Sequence, residues 1–481
     1  MAKKITHKKT ETKKEVKKKK ISDYVKSFLL REKYSLIILF VFTIVLLAYW
    51  PGILVSDSMV QWDQTQTGMF TNWHPAYNTI YICLLTKIWN NPGFVLFIQS
   101  IILSFSIGEF LYRLEKYYKV NKIFLLICSL LISILPINFN AAVILLKDTI
   151  YSALIVVLAN ISLDIINNED YLDKKKNALK IGFVYLAIML SRHNGILTVV
   201  LFALLLIVLY RKKKLLYVST VCSIVLYFLM TTVGFKVFNI VQDNYANKYG
   251  PISHIYARIL NEQPELLSDE DMEKLSEFVD IQKLKDTFNP TNMDFSINSQ
   301  KIDVIKEKGN DYIKLAISTF FKNPLIFIKH YLVLDSFLYN PVCGNQERYA
   351  GLFIETDLWI YKDKYNYLNE NSKIDWLLPG LKKYSNLYQR GRLGDITMRP
   401  PLYLYLGLII TFLLAKFRKH KKIWIVSLLS LFNIVGLAIA MPVPMTRYVY
   451  STILIGQLLF IFGFYELFIY IKGRFLTKNE K

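Results

Sequence analysis

The stretch Leu36–Trp50, LIILFVFTIVLLAYW, carries no charge and gives way to Pro51-Gly52-Ile53-Leu54-Val55-Ser56-Asp57-Ser58. It reads as a first membrane span that releases the chain at one face. The polar stretch that follows ends in Trp73-His74-Pro75 before apolar character returns. A carboxylate and an imidazole therefore lie at one membrane face, where ionisable groups are costly unless solvated or used.

The rest of the chain agrees with a membrane class. Hydrophobic residues make up 53% of 481, mean hydropathy is +0.30, and apolar blocks recur to the end. The expected fold is an all-α polytopic membrane protein with about 10 transmembrane helices. The net charge of +22 could signal nucleic acid, but Lys and Arg gather in an N-terminal arm and in short loops between apolar spans. Topology explains that distribution, and no nucleic-acid partner is expected. Residues 1–33 read as a disordered Lys-rich cytoplasmic arm held near anionic lipid, because Lys3 to Lys20 is nearly all Lys, Thr and Glu. No cleavable signal is evident. Cys83, Cys128 and Cys222 lie in apolar segments and Cys343 in a polar one, so neither a disulfide framework nor a zinc site has partners.

Loop charge sets the topology. With the arm inside, spans near 36–50, 94–112, 121–137, 149–164, 179–190, 196–210, 215–235, 401–416, 423–440 and 449–471 place the basic clusters 113–122, 174–176 and 211–214 on the cytoplasmic side. This requires 76–90 to lie in the outer interface rather than cross; Thr79, Thr86, Lys87 and Asn90 share a helical face there. The chain then divides into an N-terminal transmembrane module, 34–235, with an outer loop at 51–78; a mainly helical extracytoplasmic region, 236–400; and a C-terminal module with a short cytoplasmic tail, 401–481. Both termini are expected to be cytoplasmic. Ser268 is the expected N-cap of a helix with an acidic first turn. Residues 311–339, broken at Asn323-Pro324, read as two amphipathic surface helices or a re-entrant hairpin.

On this topology Asp57, Gln61, Asp63 and His74, then Lys147-Asp148, then Ser191-Arg192-His193-Asn194-Gly195, then Arg447-Tyr448 gather at the outer level. Each has a bland reading. Lys147 and Asp148 could pair with each other at a helix start, and Arg192 and His193 could be snorkelling anchors. Arg447, beside Pro442 and Pro444, could satisfy broken-helix carbonyls, and Asp63 could be a solvated loop carboxylate. Asp57 and His74 have no evident structural duty. Together the groups suit a chemistry in which cations hold a lipid-linked phosphate while a carboxylate takes a proton from an acceptor hydroxyl.

The pattern resembles the GT-C superfamily of integral-membrane glycosyltransferases. The likeness rests on a first span followed by an outer acidic loop (Asp57), a His-Pro opening an interfacial helix (His74-Pro75), a second span ending in basic residues (Arg113) and a late Arg-Tyr (Arg447-Tyr448). It covers most of residues 36–471 at the level of architecture. Many members carry an acidic pair where this chain has Asp57-Ser58, with Asp63 six residues on. The chain also looks like multi-span proteins of Gram-positive bacteria that share the Ser-Asp-Ser, Trp-His-Pro, Lys-Asp and Arg-His-Asn-Gly elements.

The resemblance implies transfer of a sugar from a polyprenyl-phosphate carrier to a cell-envelope glycan, teichoic acid or protein acceptor at the outer face of the cell membrane. Asp57 would be the base, His74 would orient it or the acceptor, and Asp63 is the candidate second acid. Lys147, Asp148, Arg192, His193, Asn194 and Arg447 are the candidate residues for carrier phosphate and sugar. No cofactor is required; a divalent metal at Asp57 and Asp63 is the minor variant. The rivals are a transporter or flippase of lipid-linked glycan, with charges lining a pathway, and a noncatalytic membrane scaffold.

Overall fold

Backbone polar groups in lipid must be satisfied within their own segment, so apolar blocks of this kind become helices. The computed structural model describes residues 21–242, 245–342, 372–389, 391–418, 420–439 and 441–479; most of the Lys-rich arm, and Cys343, lie outside them. The chain begins with α1 (Ile21–Arg31), α2 (Lys33–Ala48), the two-residue strand β1 (Ile53–Leu54), α3 (Ser56–Thr67), α4 (Ala76–Thr86) and α5 (Pro92–Tyr118). It continues through α6 (Lys122–Ile134), α7 (Pro136–Val143), β2 (Ile144–Leu145), α8 (Lys147–Asn167), α9 (Lys175–Ser191), α10 (Gly195–Leu209) and α11 (Lys214–Leu229). The next region contains α12 (Tyr245–Glu262), α13 (Asp269–Phe278), α14 (Ile302–Lys322), α15 (Pro324–Leu334) and α16 (Leu378–Gln389). The chain closes with α17 (Pro400–Phe417), α18 (Trp424–Ala438) and α19 (Tyr450–Asn479).

Among the described residues five helices are long and apolar enough to cross a membrane, and six if the bent pair α6 and α7 counts as one. Those helices mark a membrane protein. Each of the ten expected segments is helical, but the count of about 10 spans is not reached by length and composition. The remaining segments are short: α2 has 16 residues and α10 and α18 have 15 each, while α9, with 17, opens on Lys175-Lys176 and carries Lys180. The expected straight span 121–137 is also broken. Leu135 is extended and α7 leaves α6 at 63°, because Pro136 disfavours helical backbone in the residue before it. α4 rises only about 16 Å, roughly half the hydrocarbon thickness. Just beyond it Trp89 packs against Trp50 and Phe94, with ring centroids 6.0 and 5.8 Å apart.

α8 is the axis of the bundle. Tyr151, Ile155, Val156, Leu158, Ala159 and Ile161 are fully buried, which places neighbours on every side of it. α11 is the opposite case, presenting Val218, Val221, Val225 and Phe228 outward, where lipid can cover them. α2, α5, α8, α9 and α10 share one core with α17, α18 and α19, while α12 to α15 build a second core around Tyr256, Phe278 and Tyr312. In that second unit Ser268 caps α13 as the sequence predicts, its Oγ accepting from the Asp271 N–H at 3.1 Å. Asn323-Pro324 separates α14 from α15 where the sequence places the break.

The short strands matter more than their length suggests. β1 and β2 pair in parallel, Ile53 with Ile144 and Leu54 with Leu145. Gln99, buried in α5, donates to the Ala141 and Ile144 carbonyls at 2.9 Å each and fixes the turn into β2. Each strand runs at once into a helix, and the two sequences, Ile53-Leu54-Val55-Ser56-Asp57-Ser58 and Ile144-Leu145-Leu146-Lys147-Asp148-Thr149, correspond residue for residue in that register.

The α2–α5 crossing admits no side chain at Gly108, where a β-carbon would lie 2.5 Å from the Ser35 Cα. Gly108→Leu should therefore lower thermal stability by about 1–3 kcal/mol or more. Gly380→Leu, with nothing within 4 Å, is the matched control and should change little. Melting curves of the purified variants check this, and equal melting temperatures would contradict the close packing.

Candidate functional site

Five helix starts converge on one cluster. Val55 is extended and precedes α3; the Ser58 hydroxyl accepts from the Val55 N–H at 2.7 Å and donates to the Val55 carbonyl at 2.9 Å, closing the first turn. That turn holds Asp57 beside the first residue of α8, Lys147, because the paired strands set both helices in the same register. His74 precedes α4, Arg192 and Asn194 precede α10, and Arg447 precedes α19. Unpaired N–H groups at helix starts favour anions, so the backbone itself biases this level toward negative charge.

Lys147 Nζ donates to Asp57 Oδ2 at 2.7 Å and stands 3.4 Å from His74 Nδ1. Arg447 Nη1 reaches the same carboxylate oxygen at 3.2 Å. Arg192 Nη1 lies 2.7 Å from Asp148 Oδ1, an ion contact without aligned hydrogen-bond geometry, and donates to the Tyr448 carbonyl at 3.1 Å. Its guanidinium sits over the Tyr151 and Tyr448 rings, and Arg447 stacks on Tyr448 as well. Three cations thus face two carboxylates among buried groups.

The supporting shell ties these loops together. Gln61 donates to Thr79 Oγ1 at 2.9 Å and accepts from Asn78 at 3.3 Å, locking α3 to α4 and hence Asp57 to His74. The Tyr151 hydroxyl donates to Asn433 at 2.7 Å, and Asn433 donates to Ser451 at 3.0 Å, joining α8 to α18 and α19 below Arg447.

Charge and burial set the proton states. Burial works to raise the Asp57 carboxyl, but Lys147 and Arg447 outweigh it and hold the group far below the usual carboxylate range. His74 is pushed down to about 4, by burial first and by Lys147 next, so its ring is neutral at pH 7.

The structure revises several readings of the sequence. Lys147 and Asp148 do not pair with each other; each takes a partner from another loop. Arg192 is buried against Asp148 rather than snorkelling, and Arg447 pairs with Asp57. Asp57 has a structural duty after all, as the shared acceptor of two cations. Asp63 lies six residues further along α3, about 120° round the helix from Asp57, so the two carboxylates leave different faces. Among the described residues no group of three or more His, Cys, Asp or Glu side chains is placed to hold a metal ion. His193 packs against the backbone of Asn72 and Trp73, the approach to His74. Asn194 begins α10 with its Nδ2 buried and unbonded in the structure.

One participant gave no signal in the sequence. Asp294 belongs to the second core's region, whose Met293 N–H donates to the Pro442 carbonyl at 2.8 Å and so docks onto the loop leading to Arg447. Burial raises the Asp294 carboxyl, the Asp57 charge raises it further, and Arg447 opposes the shift. Only the tertiary contact through Pro442 brings this acid near the cluster. Tyr151, whose ring lies with that of Tyr448 against the Arg192 guanidinium, is the other addition.

The chain belongs to a family of unknown function (DUF6020), whose model matches residues 60–465. The matched stretch includes His74, Lys147, Arg192, Asp294 and Arg447, and begins just after Asp57. No curated protein and no solved structure matches the chain.

Neutral burial of imidazoles has a consequence for stability. His74 and His254 are each lowered to about 4, in both cases by burial first, from an ordinary value of 6.5. The unfolded chain takes up protons below about 6.5 that the folded chain refuses, so stability falls as pH drops from there toward about 4. Melting temperature against pH should decline over that window, and His74→Gln should make the decline shallower. An unchanged slope in His74→Gln would mean that the ring is not held neutral by its surroundings.

Proposed function

We propose that the chain is a membrane glycosyltransferase that moves a sugar from a polyprenyl-phosphate carrier to a hydroxyl of a cell-envelope glycan, teichoic acid or protein. In this reading residues 51–78 and 236–400 face outward and both termini are cytoplasmic. The observation that supports it is the pairing of Asp57 with both Lys147 and Arg447 where five helix starts meet.

A phosphate entering this cluster competes with Asp57 for the same two cations, and the helix starts favour it. As Lys147 and Arg447 turn to the phosphate, the Asp57 carboxylate loses the charges that suppress its basicity. The base is then released only when the donor is bound. The acceptor oxygen forms its bond to the anomeric carbon while its proton passes to Asp57. The bond from that carbon to the phosphate oxygen breaks, and the electron pair leaves on a phosphate already matched by Lys147 and Arg447. Neutral His74 keeps the Lys147 ammonium in place, and Arg192, held by Asp148 and two tyrosine rings, stiffens the loop beside it. Asp294, whose carboxyl feels the charges of Asp57 and Arg447, would hold the acceptor in this reading.

Purified protein given a polyprenyl-phosphate sugar tests this reading. Asp57→Asn should reduce transfer by about 10²- to 10⁴-fold, the usual cost of losing a general base. The same change frees two cations, so donor binding should persist or tighten while thermal stability falls. Lys147→Ala should instead raise the apparent KM for the donor. Wild-type turnover by Asp57→Asn would remove the central residue and put the transporter or scaffold reading ahead.

A further inference from the structure

At the end of the bundle away from Asp57, a cavity of about 340 Å³ opens between α1, α5, α8 and the turn into α9. Its charged lining consists of Arg31, Glu109, Arg113, Lys116, Asp164 and Lys174. Both carboxylates are already paired with guanidinium groups. Arg113 places Nε and Nη2 on Asp164 at 3.0 and 2.8 Å, the Tyr117 hydroxyl donates to the same group at 2.9 Å, and Glu109 receives Arg113 and Arg31. The lysines are not matched. Lys116 meets only the hydroxyl and ring of Tyr117, and neither Lys116 nor Lys174 makes an ion pair among the described residues. The cavity therefore has a floor of paired charge and a rim with two uncompensated cations.

Beside it, α1 leaves Val25, Phe28, Leu29 and Leu30 half or more exposed, next to Arg31 at the cavity mouth. An amphipathic helix with an uncovered apolar face at a charged rim is suited to the boundary between headgroups and acyl chains. We propose that this cavity binds the phosphodiester headgroup of an anionic phospholipid from the leaflet on this side, with the lipid chains along α1. The lining also sets a preference. An ammonium-bearing headgroup needs a free carboxylate, and Glu109 and Asp164 have none to give, whereas a headgroup with net negative charge meets Lys116 and Lys174. This site does not depend on the proposed sugar transfer.

Native mass spectrometry of the full chain in detergent, titrated with phosphatidylglycerol, phosphatidylethanolamine or phosphatidylcholine, reads the preference directly. Phosphatidylglycerol should be retained over the other two. Lys116→Gln with Lys174→Gln should weaken that retention by about tenfold or more, from two lost cation contacts. Lys416→Gln with Lys421→Gln removes the same charge elsewhere and should leave retention unchanged; both pairs are surface changes that spare the Arg113 network. Equal retention of the three lipids, or an equal loss in the control pair, would overturn the proposal. Displacement of the lipid by millimolar inorganic phosphate at constant ionic strength would assign the cavity to a soluble anion and overturn it too.

Discussion

A charge removed from water at a helix end is tolerated only with a partner, and the arrangement around Asp57 follows from that constraint. Lys147 is the first residue of the most buried of the candidate membrane-spanning helices, and its ammonium needs an anion. Asp57 supplies one because two residues of parallel strand align the start of α3 with the start of α8. Arg447 then shares the carboxylate, and the final helix is drawn to the same place. Substitution on one side of such a set leaves a buried charge on the other, so the cluster is strongly coupled.

Much of this architecture could be read from residue order. Apolar blocks located the long helices of the bundle, though not the break between α6 and α7; Asp57, His74, Lys147, Arg192 and Arg447 could be grouped because each interrupts an apolar block at the same level. Local signals with a local cause also held, including the Ser268 cap and the break at Asn323-Pro324. Pairing was harder, because it depends on which loop approaches which. Lys147-Asp148 looks like a pair in sequence, yet the two side chains serve opposite neighbours. The correspondence between 53–58 and 144–149 was present in the sequence, but six residues are too few to stand out until the strands align them. Asp294 was illegible for a plainer reason: its loop owes its position to a backbone bond with Pro442, far away in sequence.

The region that contributes Asp294 has its own aromatic centre, with the Phe278 and Tyr312 rings stacked at 4.7 Å, and a buried His254–His330 contact at 4.9 Å. It has its own packed core, and the Met293 N–H bond to Pro442 is one of its ties to the bundle. In the proposed transfer, the groups for the phosphate belong to the bundle and the group for the acceptor to this region. Donor and acceptor preferences are then carried by different cores, and changes in one need not disturb the packing of the other.

α8 joins the two charged ends of the molecule. Lys147 and Asp148 open it, and Asp164, clamped by Arg113, lies one turn from its close; the distance between them is about 26 Å along the axis. With its length enclosed and ion pairs fastened at both ends, this helix cannot slide by a turn without breaking contacts on opposite faces of the bundle at once. It acts as a fixed spindle, and any motion at either end must come from the elements packed around it.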